Sequence, residues 1–212
     1  MIQLNSDDFK VVIDKSGYVT ELVDIRTGDN YCANYDTIAP LLSIRVCNEI
    51  LYPQSASYNE AEQLITLGYK DGLSASVKTD FKSSHICFEV LSVSDVEKVE
   101  LVIWGPFPTR INKVIGETIG VVQGDSFAIG LQALNIKTIG GYPWRENDYM
   151  PQLDVMEQDN YENLEKGKRG VLYSVEAAKP TAFGSTLQAF CRNRSTDRVI
   201  EMERRFVDCW GN

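Results

Sequence analysis

The sequence contains very little histidine. Among its 212 residues only His85 is a histidine, and it precedes the alternating apolar residues Ile86, Phe88 and Val90 in a segment predicted to be a strand. A Ser-His-Asp or Cys-His mechanism would depend on this one side chain, and no G-x-S-x-G elbow lies near it. We therefore expect a structural or surface role for His85 and no catalytic activity from this chain alone.

Cysteine is also sparse and shows no metal-binding or redox spacing. The five cysteines, an odd number, include no C-x-x-C pair, so at least one is unbridged within the chain. One His and widely spaced Cys do not match the ligand spacings of zinc sites. Because Cys47 and Cys87 lie in apolar runs, we predict buried thiols there.

Long apolar runs and clusters of positive charge are missing as well. No segment approaches the roughly 18 apolar residues of a membrane span, and residues 1–10 lack the basic start and apolar stretch of a signal peptide. Lys and Arg number 21 against 30 Asp and Glu, which leaves a net charge of −9. Since the basic residues are scattered among acidic ones, we expect neither a membrane span nor nucleic acid as a partner.

The chain is rich in apolar–polar alternation with a period of two, the pattern of β-strands. Short turns separate the alternating segments, among them Lys15-Ser16-Gly17, Asp71-Gly72 and the four residues 123–126. Asp-Gly tolerates the positive φ of a type I′ hairpin turn. The predicted strands are residues 9–14, 18–24, 40–47, 62–70, 73–80, 85–93, 96–104, 118–122, 127–134, 171–177 and 186–191.

Ten to twelve strands with little helix predict an all-β fold, in which two large antiparallel sheets pack face to face. No linker divides residues 1–212, so we expect one extended β-sandwich domain. Residues 140–170 lack sustained periodicity and predict a long irregular excursion. Residues 199–207 fit either a short helix or, as we favour, a final strand.

Two segments combine aromatic rings with arginine. Residues 104–110 (WGPFPTR) contain Trp104 and Arg110, and residues 140–145 (GGYPWR) contain Tyr142, Trp144 and Arg145. Aromatic faces pack on the C–H face of a pyranose, and charged side chains such as Asp148 bond its hydroxyls. Both segments are candidate carbohydrate-binding sites. The alternative is that Trp104 closes a core and Trp144 anchors a loop.

Acidic residues in the excursion suggest two further possibilities. Asp148, Asp154, Glu157 and Asp159 offer hard oxygen ligands, but their spacing matches no EF-hand loop, so bound calcium is a minor alternative to a protein without cofactors. Glu146 and Asp148, with Glu117 as a third candidate, are the carboxylates available for glycosidase chemistry.

Residues 9–31 (FKVVIDKSGYVTELVDIRTGDNY) resemble the opening of galactose-mutarotase-like β-supersandwich domains. There a strand, a turn, a second strand and a D-x-x-T-G-x-x-Y-like turn begin the first sheet. The meander over residues 62–104 fits the same pattern, and residues 104–141 are similar to non-catalytic sugar-binding domains of large polysaccharide-degrading enzymes. Catalytic mutarotases are longer and use several histidines, so none of their catalytic residues carries over to this chain.

The resemblance implies a non-catalytic carbohydrate-binding or accessory domain, cut from a larger secreted, cell-surface or periplasmic glycan-processing protein. Its partners would be an oligo- or polysaccharide and an adjacent catalytic domain of the same polypeptide. Two alternatives stay open: a small sugar-active enzyme, either an epimerase or a glycosidase, that uses carboxylates, and a structural module that packs on a catalytic domain.

Overall fold

The computed structural model describes residues 1–33, 38–115, 120–135, 138–140 and 185–192. These residues form strands, with a single 3-10 turn at Lys70–Gly72 and no α-helix. No helix in these ranges has the length and apolar character needed to cross a membrane. The strands are β1 (Ile2–Asn5), β2 (Phe9–Ile13), β3 (Val19–Asp24), β4 (Leu42–Val46), β5 (Glu49–Leu51), β6 (Ser55–Asn59), β7 (Leu64–Gly68), β8 (Ser74–Phe81), β9 (Ile86–Val93), β10 (Val99–Thr109), β11 (Val114–Ile115), β12 (Val121–Gln123), β13 (Ala128–Gly130), β14 (Thr138–Gly140) and β15 (Ser185–Arg192).

The strands form four sheets, with the orders β1-β2-β3, β14-β15-β10-β4-β5, β11-β12-β13 and β6-β7-β8-β9. Every pairing of these strands is antiparallel. Period-two alternation leads to this arrangement where a strand such as β8 buries one face and leaves the other less buried. The prediction of an all-β, antiparallel fold is confirmed.

One hydrophobic core joins the four sheets. Leu4 of β1, Ile44 of β4, Ile65 of β7 and Val122 of β12 belong to a single cluster of buried side chains, and each comes from a different sheet. Burial of such aliphatic side chains is the main favourable term in folding. Sheets that share a core through their inner faces are consistent with the predicted β-sandwich.

Strand β10 is buried on both faces. Val102 faces the main core, whereas Leu101 and Ile103 form a second cluster with Phe190 of β15. The prediction that this strand stops before Gly105 is wrong, because it continues to Thr109. The pairing of β10 with β15 shifts in register between Trp104 and Phe107. Gly105, which lies in this irregular stretch, has a φ of 80°.

The predicted hairpin turns are present. Asp71 and Gly72 have φ values of 60° and 72° between β7 and β8, as a type I′ turn requires. Gly17, with a φ of 92°, closes the hairpin of β2 and β3. Such turns depend on the backbone freedom of two or three residues, so a local sequence is sufficient to predict them.

Several short or polar strands were not expected. They are β1, β5, β6, β11 and β14; β6, for example, has the sequence SASYN and is half exposed. The predicted burial of Cys47 is wrong, because Cys47 is exposed in the turn between β4 and β5, and Cys87 is only half buried. Residues 141–170 of the predicted excursion and the segments 171–177 and 199–207 lie outside the described residues.

Candidate ligand-binding cleft

Two of the candidate sugar-binding residues, Trp104 and Arg110, lie among the residues that the structure describes, and their environments differ. Trp104 is 9% exposed, and its ring centroid lies 6.1 Å from that of Phe88. Arg110 is exposed just after β10, where its guanidinium donates to the carbonyl of Asn30. Trp104 is therefore a core residue, and the two side chains present no shared surface. The other candidates, Tyr142, Trp144, Arg145 and Asp148, lie outside the described residues, as do Glu117, Glu146, Asp154, Glu157 and Asp159.

A cleft of about 390 Å³ lies between β9 and β13. Its floor consists of core side chains, and four phenyl rings contribute to its lining. Polar side chains add to the lining from the turns between strands. The rings are Phe9, Phe88, Phe107 and Phe127, and the polar residues are Asp8, Arg26, Ser84, His85 and Ser126.

Three turns bring polar groups to one end of the cleft. The backbone N–H groups of Asp7 and Asp8 donate to the carbonyl of Ser83, over 2.9 and 3.3 Å. The N–H of Ile25 donates to the carbonyl of Asp8 over 3.0 Å. These bonds connect the turn after β1, the turn after β3 and the turn before β9. Residues far apart in sequence therefore form a single polar end.

Arg26 is oriented by a buried carboxylate. The side chain of Asp24 is 1% exposed and accepts bonds from the Nε and Nη2 of Arg26, each at 3.2 Å. It also accepts from the backbone N–H of Arg26 at 2.9 Å. The side-chain hydrogen bond from Arg26 lowers the pKa of Asp24 below its ordinary value. The guanidinium, 61% exposed, is thereby held at the polar end of the cleft.

This pairing predicts a pH-dependent stability. Because the folded-state pKa of Asp24 is lowered, its contribution is present above the unfolded-state pKa and is lost as pH falls through the folded value. We expect Asp24→Asn to lower the urea midpoint at pH 7 and to have much less effect at a pH below the folded-state pKa of Asp24, where the native carboxyl is protonated. Asp29→Asn, in the same turn but exposed, serves as the control. Equal losses at both pH values would contradict the assignment.

Aromatic contacts fix one wall of the cleft. Phe127 stacks on Tyr31, with ring centroids 4.6 Å apart and planes 2° from parallel. Phe9 lies against Phe127 at 6.3 Å in a tilted arrangement. Such pairs contribute roughly 0.5–1.5 kcal/mol beyond their buried area. The rings of Phe9 and Phe127 are therefore positioned before any ligand arrives.

The described polar groups are suited to binding. The Oγ of Ser84 lies 3.4 Å from the Nδ1 of His85, and both residues are exposed. The nearby Asp80 carboxylate pairs with Lys82 at 2.8 Å. In the part of the chain that the structure describes, no three His, Cys, Asp or Glu side chains are grouped so that they would hold a metal ion. The described lining of the cleft offers hydrogen bonding and apolar contact.

Comparison with protein-family models, curated proteins and solved structures gave no match.

Sequence reasoning missed the cleft because its walls come from distant segments. Phe9 and Phe127 are 118 positions apart in the numbering, 127 − 9, and only tertiary packing brings them together. Arg26 had a local indication, since Asp24-Ile25-Arg26 precedes a turn glycine and short polar side chains bond to the backbone of such turns.

Proposed function

We propose that this chain is a non-catalytic carbohydrate-binding or accessory domain of a glycan-processing protein, with a galactose-mutarotase-like supersandwich fold. The observation that supports the proposal is the cleft, in which phenyl rings stand beside a cluster of charged and hydroxyl groups. The resemblance of residues 9–31 to such domains points to the same class of function.

A pyranose matches this combination of groups. Its C–H face packs on an aromatic ring, and its hydroxyls bond to carboxylates, guanidinium groups and hydroxyls. Phe9 supplies a ring next to Asp8, while Arg26 and Ser84 add a cation and a hydroxyl from the neighbouring turns. The volume of about 390 Å³ lies within the range of small-molecule sites, roughly 300–1,000 Å³. We therefore place the sugar at the polar end of the cleft.

Calorimetric titration against a panel of neutral and acidic mono- and oligosaccharides tests the proposal. We expect binding of at least one sugar and about tenfold or greater weakening by Arg26→Ala, because a hydrogen bond to a charged group contributes roughly 1.5–3 kcal/mol. His85→Ala provides a second variant at an exposed side chain of the same end.

Arg110→Ala is the matched control, because Arg110 is an exposed arginine outside the cleft lining. Thermal melts of each variant separate loss of binding from loss of folding. Absence of binding at millimolar sugar would reject the proposal. Loss of binding on Arg110→Ala, with none on Arg26→Ala, would move the site to the surface around residues 104–110.

A further inference from the structure

The edge strands of two sheets contribute to the lining of the cleft. β9 is the last strand of the order β6-β7-β8-β9, and β13 is the last strand of β11-β12-β13. Within the described residues neither strand pairs with a second neighbour. An edge strand of this kind presents a row of unpaired N–H and C=O groups to whatever lies beside it.

The hydrogen-bond pattern shows which residues of β13 face the cleft. Gly124 donates its N–H to the carbonyl of Phe127 at 2.8 Å, and Leu131 donates to Gly120 at 3.0 Å. In an antiparallel pair, bonded and non-bonded positions alternate, so Ile129 also faces β12. Ala128 and Gly130 consequently direct their backbone groups away from β12. Both are exposed, and both line the cleft.

The same reasoning applies to β9. Lys82 donates its N–H to the carbonyl of His85 at 3.0 Å, which makes these two residues a bonded pair at the start of the hairpin. Counting along the register, Cys87 faces β8, whereas Ile86 and Phe88 direct their backbone groups outward. Ile86 and Phe88 line the cleft. Among the described residues, backbone groups that lack a strand partner thus contribute to the cleft from both β9 and β13.

Both edges lead away from the polar end. β9 begins shortly after Ser83, whose carbonyl accepts bonds from the turn that contains Asp7 and Asp8. β13 begins just after Phe127, whose ring contacts that of Phe9. The two strands therefore start on the same side. One inserted strand would be antiparallel to both, and it would extend the antiparallel pattern of the protein across the gap.

The floor and the charges define the chemistry of such a strand. Below the gap lie buried apolar side chains from two sheets and from the residue before β4, and they suit apolar side chains at alternate positions of an extended peptide. These are Val11, Val19, Leu22, Leu41 and Leu187. At the polar end, Arg26 pairs with Asp24 and Lys82 with Asp80. Among the described residues, this leaves Asp7 and Asp8, in the turn bonded to Ser83, as acidic residues without an ion pair. A lysine or arginine in the peptide complements this excess of negative charge.

We infer that the cleft takes an extended peptide segment of a neighbouring polypeptide, which adds as a strand between β9 and β13. The segment has apolar residues at alternate positions and a basic residue near its C-terminal end, where it reaches Asp7 and Asp8. Strand addition of this kind takes its affinity from main-chain bonds and its specificity from alternate side chains. This function goes beyond sugar binding, which uses Phe9 and the polar side chains at one end of the cleft.

A synthetic peptide tests the inference. The probe is a capped ten-residue peptide of alternating valine and threonine with lysine at its last two positions, titrated into the full chain by calorimetry. The control peptide has the same side chains but is N-methylated at alternate residues, which removes the donors on one edge. We expect the first peptide to bind at least tenfold more tightly than the second. A third peptide, with the lysines moved to its N-terminal end, should also bind more weakly.

Ala128→Pro removes an outward N–H without removing a bond to β12, and proline is tolerated at such edge positions. It should weaken peptide binding about tenfold or more, whereas Ala128→Val, which retains the N–H, should not. The double variant Asp7→Asn with Asp8→Asn leaves the edges intact and should abolish the preference for C-terminal lysine.

The inference is overturned if the N-methylated and unmethylated peptides bind equally or if neither binds. It is also overturned if the chain dimerises in sedimentation experiments and Ala128→Pro makes it monomeric, because the occupant is then a second copy. Sugar titration of the same samples keeps the two proposals distinguishable. If the protein binds sugar but no peptide, only the strand-addition proposal is refuted. If it binds peptide but no sugar, only the carbohydrate-binding proposal is refuted.

Discussion

Trp104→Ala is expected to destabilise the fold by about 3–5 kcal/mol, the range observed when a buried aromatic side chain is truncated. Trp104 is 9% exposed, belongs to the main core and lies 6.1 Å from Phe88, so alanine would leave a cavity where β9 and β10 pack together. The free energy of unfolding, measured by urea denaturation with tryptophan-independent circular dichroism, is the appropriate quantity.

Two variants control this experiment. Trp104→Phe retains an aromatic ring and should recover a large part of the loss. Leu91→Ala truncates a side chain that is 55% exposed on β9 and should change stability by less than about 0.5 kcal/mol. If Trp104→Ala left the urea midpoint unchanged but abolished sugar binding, Trp104 would be a ligand-contacting residue, as its sequence context suggested.

Gly105→Ala is the second substitution with a large expected effect, roughly 2–5 kcal/mol of destabilisation. Gly105 has a φ of 80°, which side chains of L-residues rarely adopt, and a Cβ there would lie 2.7 Å from the backbone nitrogen of Phe107 and 2.9 Å from the carbonyl oxygen of Leu187. Because both contacts are with backbone atoms, the register shift between β10 and β15 would have to rearrange.

Gly28→Ala separates the two causes of this loss. Gly28 has a φ of 77°, but no atom lies within 4 Å of a Cβ built there. Its substitution should therefore cost only the conformational penalty, about 1–2 kcal/mol. Equal losses of stability for Gly28→Ala and Gly105→Ala would show that the close approach between β10 and β15 contributes nothing to the destabilisation at Gly105.

The secondary structure could be predicted where neighbouring residues decide it. Asp71-Gly72 and Gly17 produce hairpins because their backbones adopt positive φ, and strands such as β8 alternate because one face is buried. β6 could not be recognised, since its residues are largely polar and its place depends on pairing with β7. The continuation of β10 beyond Gly105 was missed because pairing with β15 outweighs the local preference of glycine and proline to end a strand.

The candidate site was less accessible to sequence reasoning. Aromatic residues beside arginine predicted a sugar-binding surface that contains Trp104 and Arg110. In the structure Trp104 is buried and Arg110 is exposed, so they do not form one surface. Exposure depends on what packs above a residue, and a single sequence contains no direct record of that. The cleft residues Phe9 and Phe127 give no local indication of their contact.

The scarcity of histidine and of long apolar runs, together with the period-two alternation, determined by itself that this is an antiparallel β protein with little basis for histidine chemistry. Those properties follow from composition and from neighbours along the chain. Only the tertiary structure decided that three turns form one polar end, that β10 is covered on both faces, and that the edges of β9 and β13 face a common gap. These features depend on contacts between distant segments, whose geometry is set by packing of the whole core.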